Sequence, residues 1–401
     1  MEIGIRTMNV ESAEEEFLSI FQGGEWLLKI IKKAKEMQTR DNLVITDILI
    51  REGNVPFFGT LKNFYPVVVP DERMDGLVDI VRPGREQILS FMETYLRLTD
   101  QDTSILREKT SLDFSLLFYG KGNMRINFSR DANGLSLNIR LLDFVVPELE
   151  DVKYPDIYSN FIKSLVVKNR VRLENKELEV GTLKAGGLIL HAGPTGSGKT
   201  TCVFAELNYF LENTSGLIIT YENPIEYRFL GEPRVKQIEL YTHLHPKHIY
   251  YHFLRNSPLI GMISEVKTAE EFLQVLDLAS RGHLVITTIH ANDALEAVYM
   301  FLSMIGREYT PMFLSTLRAV VCHRLVLSRE FKIVPVYEVL LPDDVIKKHI
   351  EDWEFKALEN HLYKNRTVNK EAFYSFDDSI RQRTEEGLLS LQERERLRRK
   401  L

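Results

Sequence analysis

The string Gly193-Pro194-Thr195-Gly196-Ser197-Gly198-Lys199-Thr200 constrains this chain more than any other stretch. It fills the pattern G-x-x-x-x-G-K-[ST] in full, after the apolar run Leu188–Ala192 and before a helix-patterned run, Thr201–Leu211. Glycines let a backbone wrap closely and turn successive N–H groups toward phosphate oxygens. The helix start adds the positive end of a dipole. In such a loop the lysine reaches the β- and γ-phosphates and the hydroxyl residue ligates Mg²⁺. The spacing therefore makes Gly193 through Thr201 a nucleotide-binding loop, with Lys199 on phosphate and Thr200 on the metal. Further short apolar runs at Gly216–Tyr221, Leu259–Ser264 and Leu284–Ile289 alternate with helical stretches, as in a mostly parallel buried sheet.

Length and composition set the frame. The 401 residues are too many for one ordinary core and suit two or three domains. With 44% hydrophobic and 27% charged residues, a mainly disordered chain is excluded. The net charge of −6 speaks against a dedicated nucleic-acid binder. Only Cys202 and Cys322 are present, so neither a disulfide framework nor a cysteine-built zinc site is expected, which fits a reducing cytoplasm. No apolar run is long enough to predict a transmembrane helix, and Met1-Glu2-Ile3-Gly4 lacks a signal pattern.

Upstream of the loop the texture is α+β. Residues 11–37 read as helix, with Trp26, Leu27, Ile30, Ile31 and Ala34 at helical spacing. Strands are expected at Leu43–Ile50, Val55–Leu61, Ser111–Tyr119, Asn123–Phe128 and Leu135–Leu142, and an amphipathic helix at Arg85–Leu98. Turns fall at Glu52-Gly53-Asn54, Gly120-Lys121-Gly122 and Asp131-Ala132-Asn133-Gly134. The expected organisation is an N-terminal α+β domain over 1–143 with a 1–24 extension and a proline-bearing linker over 144–156. An α/β domain follows over 157–341, then a C-terminal helical region over 342–401. Residues 380–401, rich in Arg and Glu, read as a solvated helical tail.

Two acidic segments follow the loop in order. Glu222 and Glu226 lie in Thr220-Tyr221-Glu222-Asn223-Pro224-Ile225-Glu226-Tyr227, just past one apolar run. Glu265 ends another, Leu259–Ser264, in the manner of a Walker B acid. Next, His283 and His290 bracket the run Leu284–Ile289, and His290 lies at the end where parallel strands deliver residues to a ligand.

These residues together resemble the secretion and type IV pilus motor ATPases, the PilT/GspE-type RecA-like hexamers. The resemblance is carried by Gly193–Thr201, by the acidic box Tyr221–Tyr227, by Ser264-Glu265, and by the histidine box Arg281-Gly282-His283 through His290-Ala291. Upstream, Met124-Arg125-Ile126-Asn127, Asn138–Asp143 and Thr46-Asp47-Ile48 resemble strands of the family's N-terminal domain. The resemblance implies a PAS-like N-terminal domain and a RecA-like P-loop domain. It implies Mg²⁺-dependent ATP hydrolysis with Glu226 as general base, Glu265 on Mg²⁺, and Arg125 and Arg140 neutralising phosphate charge. Glu222, His283 and His290 would couple nucleotide state to movement. It further implies a cytoplasmic homo-hexamer, peripheral to the inner membrane through a pilus platform protein, without direct nucleic acid.

Within the family the chain looks more like the retraction branch, PilT-like, which powers twitching motility. Assembly ATPases usually carry a longer N-terminal region and a four-cysteine zinc insert. Pilus assembly, type II/IV secretion, or a hydrolysis-impaired nucleotide-binding paralogue are the alternatives. Three departures motivate the last: Asn223 where the family has Asp, Ser264 where it has Gly, and Val266-Lys267-Thr268 in place of R-D-x-E-T. A lysine cannot reproduce the bidentate fork of an arginine.

Overall fold

A computed structural model describes residues 25–32, 47–54, 56–59, 64–66, 82–98, 102–118, 122–142, 146–173, 176–328, 333–364 and 370–398. The predicted 11–37 helix outside residues 25–32, the first half of the predicted Leu43–Ile50 strand and the 1–24 extension lie outside them. Two compact units emerge. The first runs to Val145 and takes in Pro224–Gly231; the second comprises Val146–Asn223 and Glu232–Leu401.

The first unit is built on a six-stranded antiparallel sheet. Its strands are β1 (Asp47–Arg51), β2 (Phe57–Gly59), β3 (Phe64–Pro66), β4 (Ser111–Phe118), β5 (Gly122–Asp131) and β6 (Gly134–Leu142), in the order β3-β2-β1-β6-β5-β4. Along β5 and β6 buried Met124, Ile126, Phe128, Leu135, Leu137 and Ile139 alternate with more exposed residues, so one face packs and the other carries polar groups. The predicted helix Arg85–Leu98 forms as expected and buries Ile88, Phe91, Met92 and Leu96, one stripe at helical spacing. Residues 25–32 are also helical, and Trp26 meets Phe91 edge-on at 6.2 Å. At the β5–β6 turn, Asn133 N–H donates to Asp131 Oδ1 (2.7 Å) and Gly134 takes φ +111°, which only glycine adopts readily.

The second unit holds an antiparallel hairpin, β7 (Val166–Leu173) and β8 (Lys176–Leu183), and an eight-stranded sheet. That sheet comprises β9 (Gly187–Ala192), β10 (Ile218–Glu222), β11 (Val235–Glu239), β12 (Ile260–Ile263), β13 (Leu284–Ile289), β14 (Leu317–Leu327), β15 (Ile333–Leu340) and β16 (Phe373–Tyr374). The order is β11-β10-β12-β13-β9-β14-β15-β16, parallel from β11 through β14 and antiparallel thereafter. Every residue of β9, β10, β12 and β13 is buried, which is why each reads as a mostly apolar run rather than an alternating one. Helices Ala269–Ser280 and Ala294–Ile305 close over the sheet; Phe301 contacts Phe272 and Phe313, each at 4.8 Å between ring centroids.

Two expectations differ from the structure. The segment expected as a linker folds largely onto the second unit, from Val146 onward, because Leu149, Val152 and Tyr154 are buried there. The C-terminal stretch is helical as expected, but it is not solvated throughout: Ile380, Arg383, Leu389 and Glu393 are buried, while most of the other described residues beyond 380 are exposed or half-buried. Helix Phe376–Glu385 buries Phe376, Ile380 and Arg383; Arg383 donates from Nε to the Pro335 carbonyl (3.0 Å) and from Nη2 to the Lys153 carbonyl. Its Arg- and Glu-rich composition concealed an inward face.

Candidate nucleotide-binding site

The predicted loop occupies the turn between β9 and the helix Lys199–Asn213. Gly193, Gly196 and Gly198 take φ of +151°, +74° and +88°, values that side-chain-bearing residues rarely adopt. A Cβ on Gly193 would lie 2.6 Å from both the His323 carbonyl and Ser197 Oγ. Gly198 is the N-cap and offers no side-chain acceptor to the helix start. The positive end of that helix therefore points into the turn, where an anion is favoured. Ser197 Oγ is buried without a hydrogen-bond partner. An orphaned hydroxyl beside the positive end of a helix fits a phosphate-bearing ligand, and Thr200 stands at the helix start where a phosphate-bound Mg²⁺ would be ligated.

The strand order brings the second acid to this loop. One strand, β13, separates β12 from β9, and all three run parallel, so Glu265 and His290 emerge at the loop's edge of the sheet. His290 Nε2 lies 2.8 Å from Glu265 Oε1, and His290 Nδ1 lies 3.2 Å from the Gly193 carbonyl. Both partners are acceptors, so both contacts are hydrogen bonds only when both ring nitrogens carry hydrogen. Lys199 Nζ donates to the carbonyls of Gly193 (2.6 Å) and Pro194 (3.0 Å). Lys267 Nζ pairs with Glu265 Oε2 at 3.0 Å, occupying the other carboxylate oxygen. The turn after β12 is fixed by hydrogen bonds to its backbone: Ser264 N–H donates to Tyr221 O (2.9 Å), and Thr288 Oγ1 donates to Ser264 O.

The other sequence-predicted residues fall elsewhere. Glu222 is buried at the end of β10 and accepts from Thr220 Oγ1 (2.6 Å) and Gln237 Nε2 (3.1 Å), a contact set internal to the sheet edge. His283 lies at the opposite end of β13 from His290; its Nδ1 faces the Pro258 carbonyl at 2.7 Å and its ring meets Phe253 at 4.9 Å. Asn223 is exposed.

Arg125, Arg140 and Glu226 belong to the first unit. Arg125 on β5 and Arg140 on β6 are directly paired, and Arg140 is paired in turn with Asp47 on β1, so three charged residues form one row across three strands. Arg140 Nε donates to Asp47 Oδ1 at 3.0 Å, and Arg125 Nη1 stands 3.8 Å from Glu226 Oε1. The predicted general base and a predicted arginine are therefore neighbours.

Sequence reasoning missed a polar cluster beneath the loop. His191, Glu206 and His323 are fully buried, and only the polar residue types inside apolar runs hinted at it. Burial, with His191 and Lys199 alongside, holds the His323 imidazole well below its ordinary range. Burial also pushes the Cys202 thiol up to about 12, so it is an inert packing group.

Similarity to known proteins gives the family. Residues 163–396 match the family described as Type II/IV secretion system protein. The chain is 26% identical over 318 residues to the type IV pilus ATPase PilU of Pseudomonas aeruginosa, covering 77% of this chain and 75% of the relative. It is 24% identical over 300 residues to a twitching motility protein of Neisseria gonorrhoeae, covering 73% and 74%. The crystal structure of the pilus retraction motor PilT with bound ADP superposes with a TM-score of 0.69 at 20% identity, covering 90% of this chain and 95% of that one. With the phosphate loop, the parallel sheet and a match over more than half its length, this chain belongs to the Type II/IV secretion system protein family of pilus and secretion ATPases.

Proposed function

We propose that this chain hydrolyses ATP with Mg²⁺ as a homo-hexameric motor and drives type IV pilus retraction. The observation that carries the reading is the His290 bridge between Glu265 and the Gly193 carbonyl, which ties a Walker B acid to a phosphate loop. The loop N–H groups and Lys199 bind the phosphates. Thr200 and Glu265 hold Mg²⁺, whose contribution is to neutralise charge on the phosphate oxygens. Glu226 positions or deprotonates the attacking water. Arg125 and Arg140 neutralise charge developing on the transferred group, a contribution worth about 10³–10⁵ in rate where such an arginine is fully engaged. His290 senses what the loop holds and passes it to β13; His283, at the far end of that strand, packs the sheet edge. Among the described residues no helix is long and apolar enough to cross a membrane. Attachment to a membrane platform would then run through a partner protein.

Loss of the gene in its host should leave pili on the surface and abolish twitching. Bare cells would move the reading to pilus assembly, and intact twitching with a secretion defect to secretion. The Lys267–Glu265 pair favours one further reading, a ring partner that binds nucleotide and turns over slowly, since Lys267 competes with Mg²⁺ for the same carboxylate.

A further inference from the structure

Behind the phosphate loop runs a chain of buried polar groups. His191, on β9 shortly before Gly193, places Nε2 3.2 Å from Glu206 Oε2. Glu206 lies on the helix that begins with Lys199. On its other side, His191 Nδ1 lies 2.8 Å from His323 Nε2 on neighbouring β14. Glu206 Oε1 accepts from the hydroxyls of Tyr154 (2.6 Å) and Tyr158 (2.9 Å).

The chain has one consistent direction. His323 Nδ1 is buried without a partner. A bare acceptor there costs less than a stranded N–H, so His323 carries its hydrogen on Nε2 and donates to His191 Nδ1. His191 then carries its own hydrogen on Nε2 and donates to Glu206, whose carboxylate accepts three bonds in all. A buried carboxylate is tolerable only when its bonds are made.

The placement matters more than the bonding. The phosphate loop leaves β9 at Ala192 and enters its helix at Lys199. The Glu206–His191 contact joins that same strand to that same helix, across the base of the loop. His323 extends the contact to the loop's first residue, because its carbonyl is the wall against which Gly193 packs. Gly193 in turn presents its carbonyl to Lys199 and His290. The loop is thus pinned at both ends by one polar strap.

We propose that Glu206 is a positioning residue for the phosphate loop, acting through His191 and His323 to fix the span across which the loop's N–H groups meet phosphate. The proposal rests on the nucleotide-binding reading above. Phosphate cradles lose binding when their groups drift by fractions of an ångström. Tyr154 and Tyr158 share the carboxylate, and their rings meet His323 (6.5 Å between centroids) and His191 (6.4 Å) edge-on; a phenylalanine keeps those ring contacts, so loss of a hydroxyl alone spares the span.

The test uses the full chain, a fluorescent ADP analogue, and steady-state ATP hydrolysis. Glu206→Gln keeps the volume and removes the charge, and its one carbonyl oxygen cannot accept both from His191 Nε2 and from the two tyrosine hydroxyls, so the bonds that fix the strap are no longer all made. It should weaken ADP-analogue binding and raise KM for ATP by about tenfold, with kcat within about twofold of wild type. Tyr154→Phe should lower Tm and leave KM unchanged. A Glu206→Gln protein with wild-type KM and reduced kcat would mark a purely structural residue and overturn the proposal; so would equal KM changes in both variants. If Glu206→Gln does not fold, ¹⁵N-histidine spectra of wild type decide. The strap requires His191 protonated at Nε2 and His323 at Nε2, with the His191 signals moving on adding ADP. The opposite tautomers, or signals indifferent to ADP, would overturn it. Wild type and Lys199→Ala that bind the analogue equally poorly would instead sink the nucleotide-binding reading, leaving the tautomers to report on the strap.

Discussion

His290 joins Glu265 to Gly193: one ring nitrogen lies 2.8 Å from the carboxylate and the other 3.2 Å from the loop carbonyl. A change at the Gly193–Thr200 loop therefore has a direct route to Glu265, the proposed Walker B acid, and to β13. Replacing His290 with Ala cuts the route and leaves Glu265 paired with Lys267 alone. The expected result is a fall in kcat of about ten- to a hundredfold with KM for ATP changed less, read from steady-state kinetics. Unchanged kcat would show that the bridge carries nothing.

Lys267→Ala should have the opposite sense on metal use. Freed of its lysine, Glu265 presents more negative charge, so half-saturation with Mg²⁺ should fall about two- to fivefold in a titration of the hydrolysis rate. A higher Mg²⁺ requirement would indicate that Lys267 holds the carboxylate in its working position.

The row Asp47–Arg140–Arg125 separates an ordinary surface ion pair from a catalytic one. Exposed pairs contribute at most about 1 kcal/mol. If the arginines only brace the sheet, Arg125→Ala and Arg140→Ala shift Tm slightly and leave turnover intact. The expected outcome is a loss of about a hundredfold or more in kcat for each, with little rescue by Lys, whose point charge lacks the fork.

Glu338 on β15 predicts a pH dependence of stability. It accepts from Ala294 N–H (2.9 Å) and Tyr363 Oη (3.0 Å), and burial pushes its carboxyl up to about 7, with Asp293 adding to the rise and the hydrogen bonds from Ala294, Tyr363 and the Phe376 backbone opposing it. An acid whose folded value lies above its unfolded one loses stability as pH rises from the unfolded value to the folded value, and the loss is complete above the latter. The unfolding free energy should therefore decline between about pH 4.5 and pH 7, by roughly 3 kcal/mol from this group. Denaturant melts of Glu338→Gln should lack that decline; an identical slope in both proteins would contradict the assignment.

Gly261, in the middle of β12, faces Phe253, and a Cβ there would come 2.0 Å from the ring. Gly261→Ala should destabilise by about 1–3 kcal/mol through overpacking, seen as a lowered denaturant midpoint with the slope unchanged.

The parallel sheet was legible because its buried strands are mostly apolar runs, and the loop because its glycines and lysine leave few alternatives. Glu265 and His290 could be assigned to one edge from chain order alone. What sequence hid was partnership. That His283 stands at the other end of its strand follows from its place before Leu284, but its contacts with the Pro258 carbonyl and the Phe253 ring do not. The 146–156 segment looked like a linker because its prolines and charges dominate, yet Leu149, Val152 and Tyr154 suffice to anchor it. Long strand β14 went unread, since Arg318, His323 and Arg324 break its apolar pattern, and β16 is too short to show a period. The His191–Glu206–His323 strap joins residues far apart in the chain, which no local pattern can reveal.

The central claim is a working phosphate loop served by Glu226, and steady-state ATP hydrolysis by the purified protein tests it most directly, with Lys199→Ala and Glu226→Gln measured beside it. The account predicts Mg²⁺-dependent turnover by wild type and a fall of at least about tenfold in each variant. Wild type that binds ATP yet hydrolyses it no faster than the variants would contradict it.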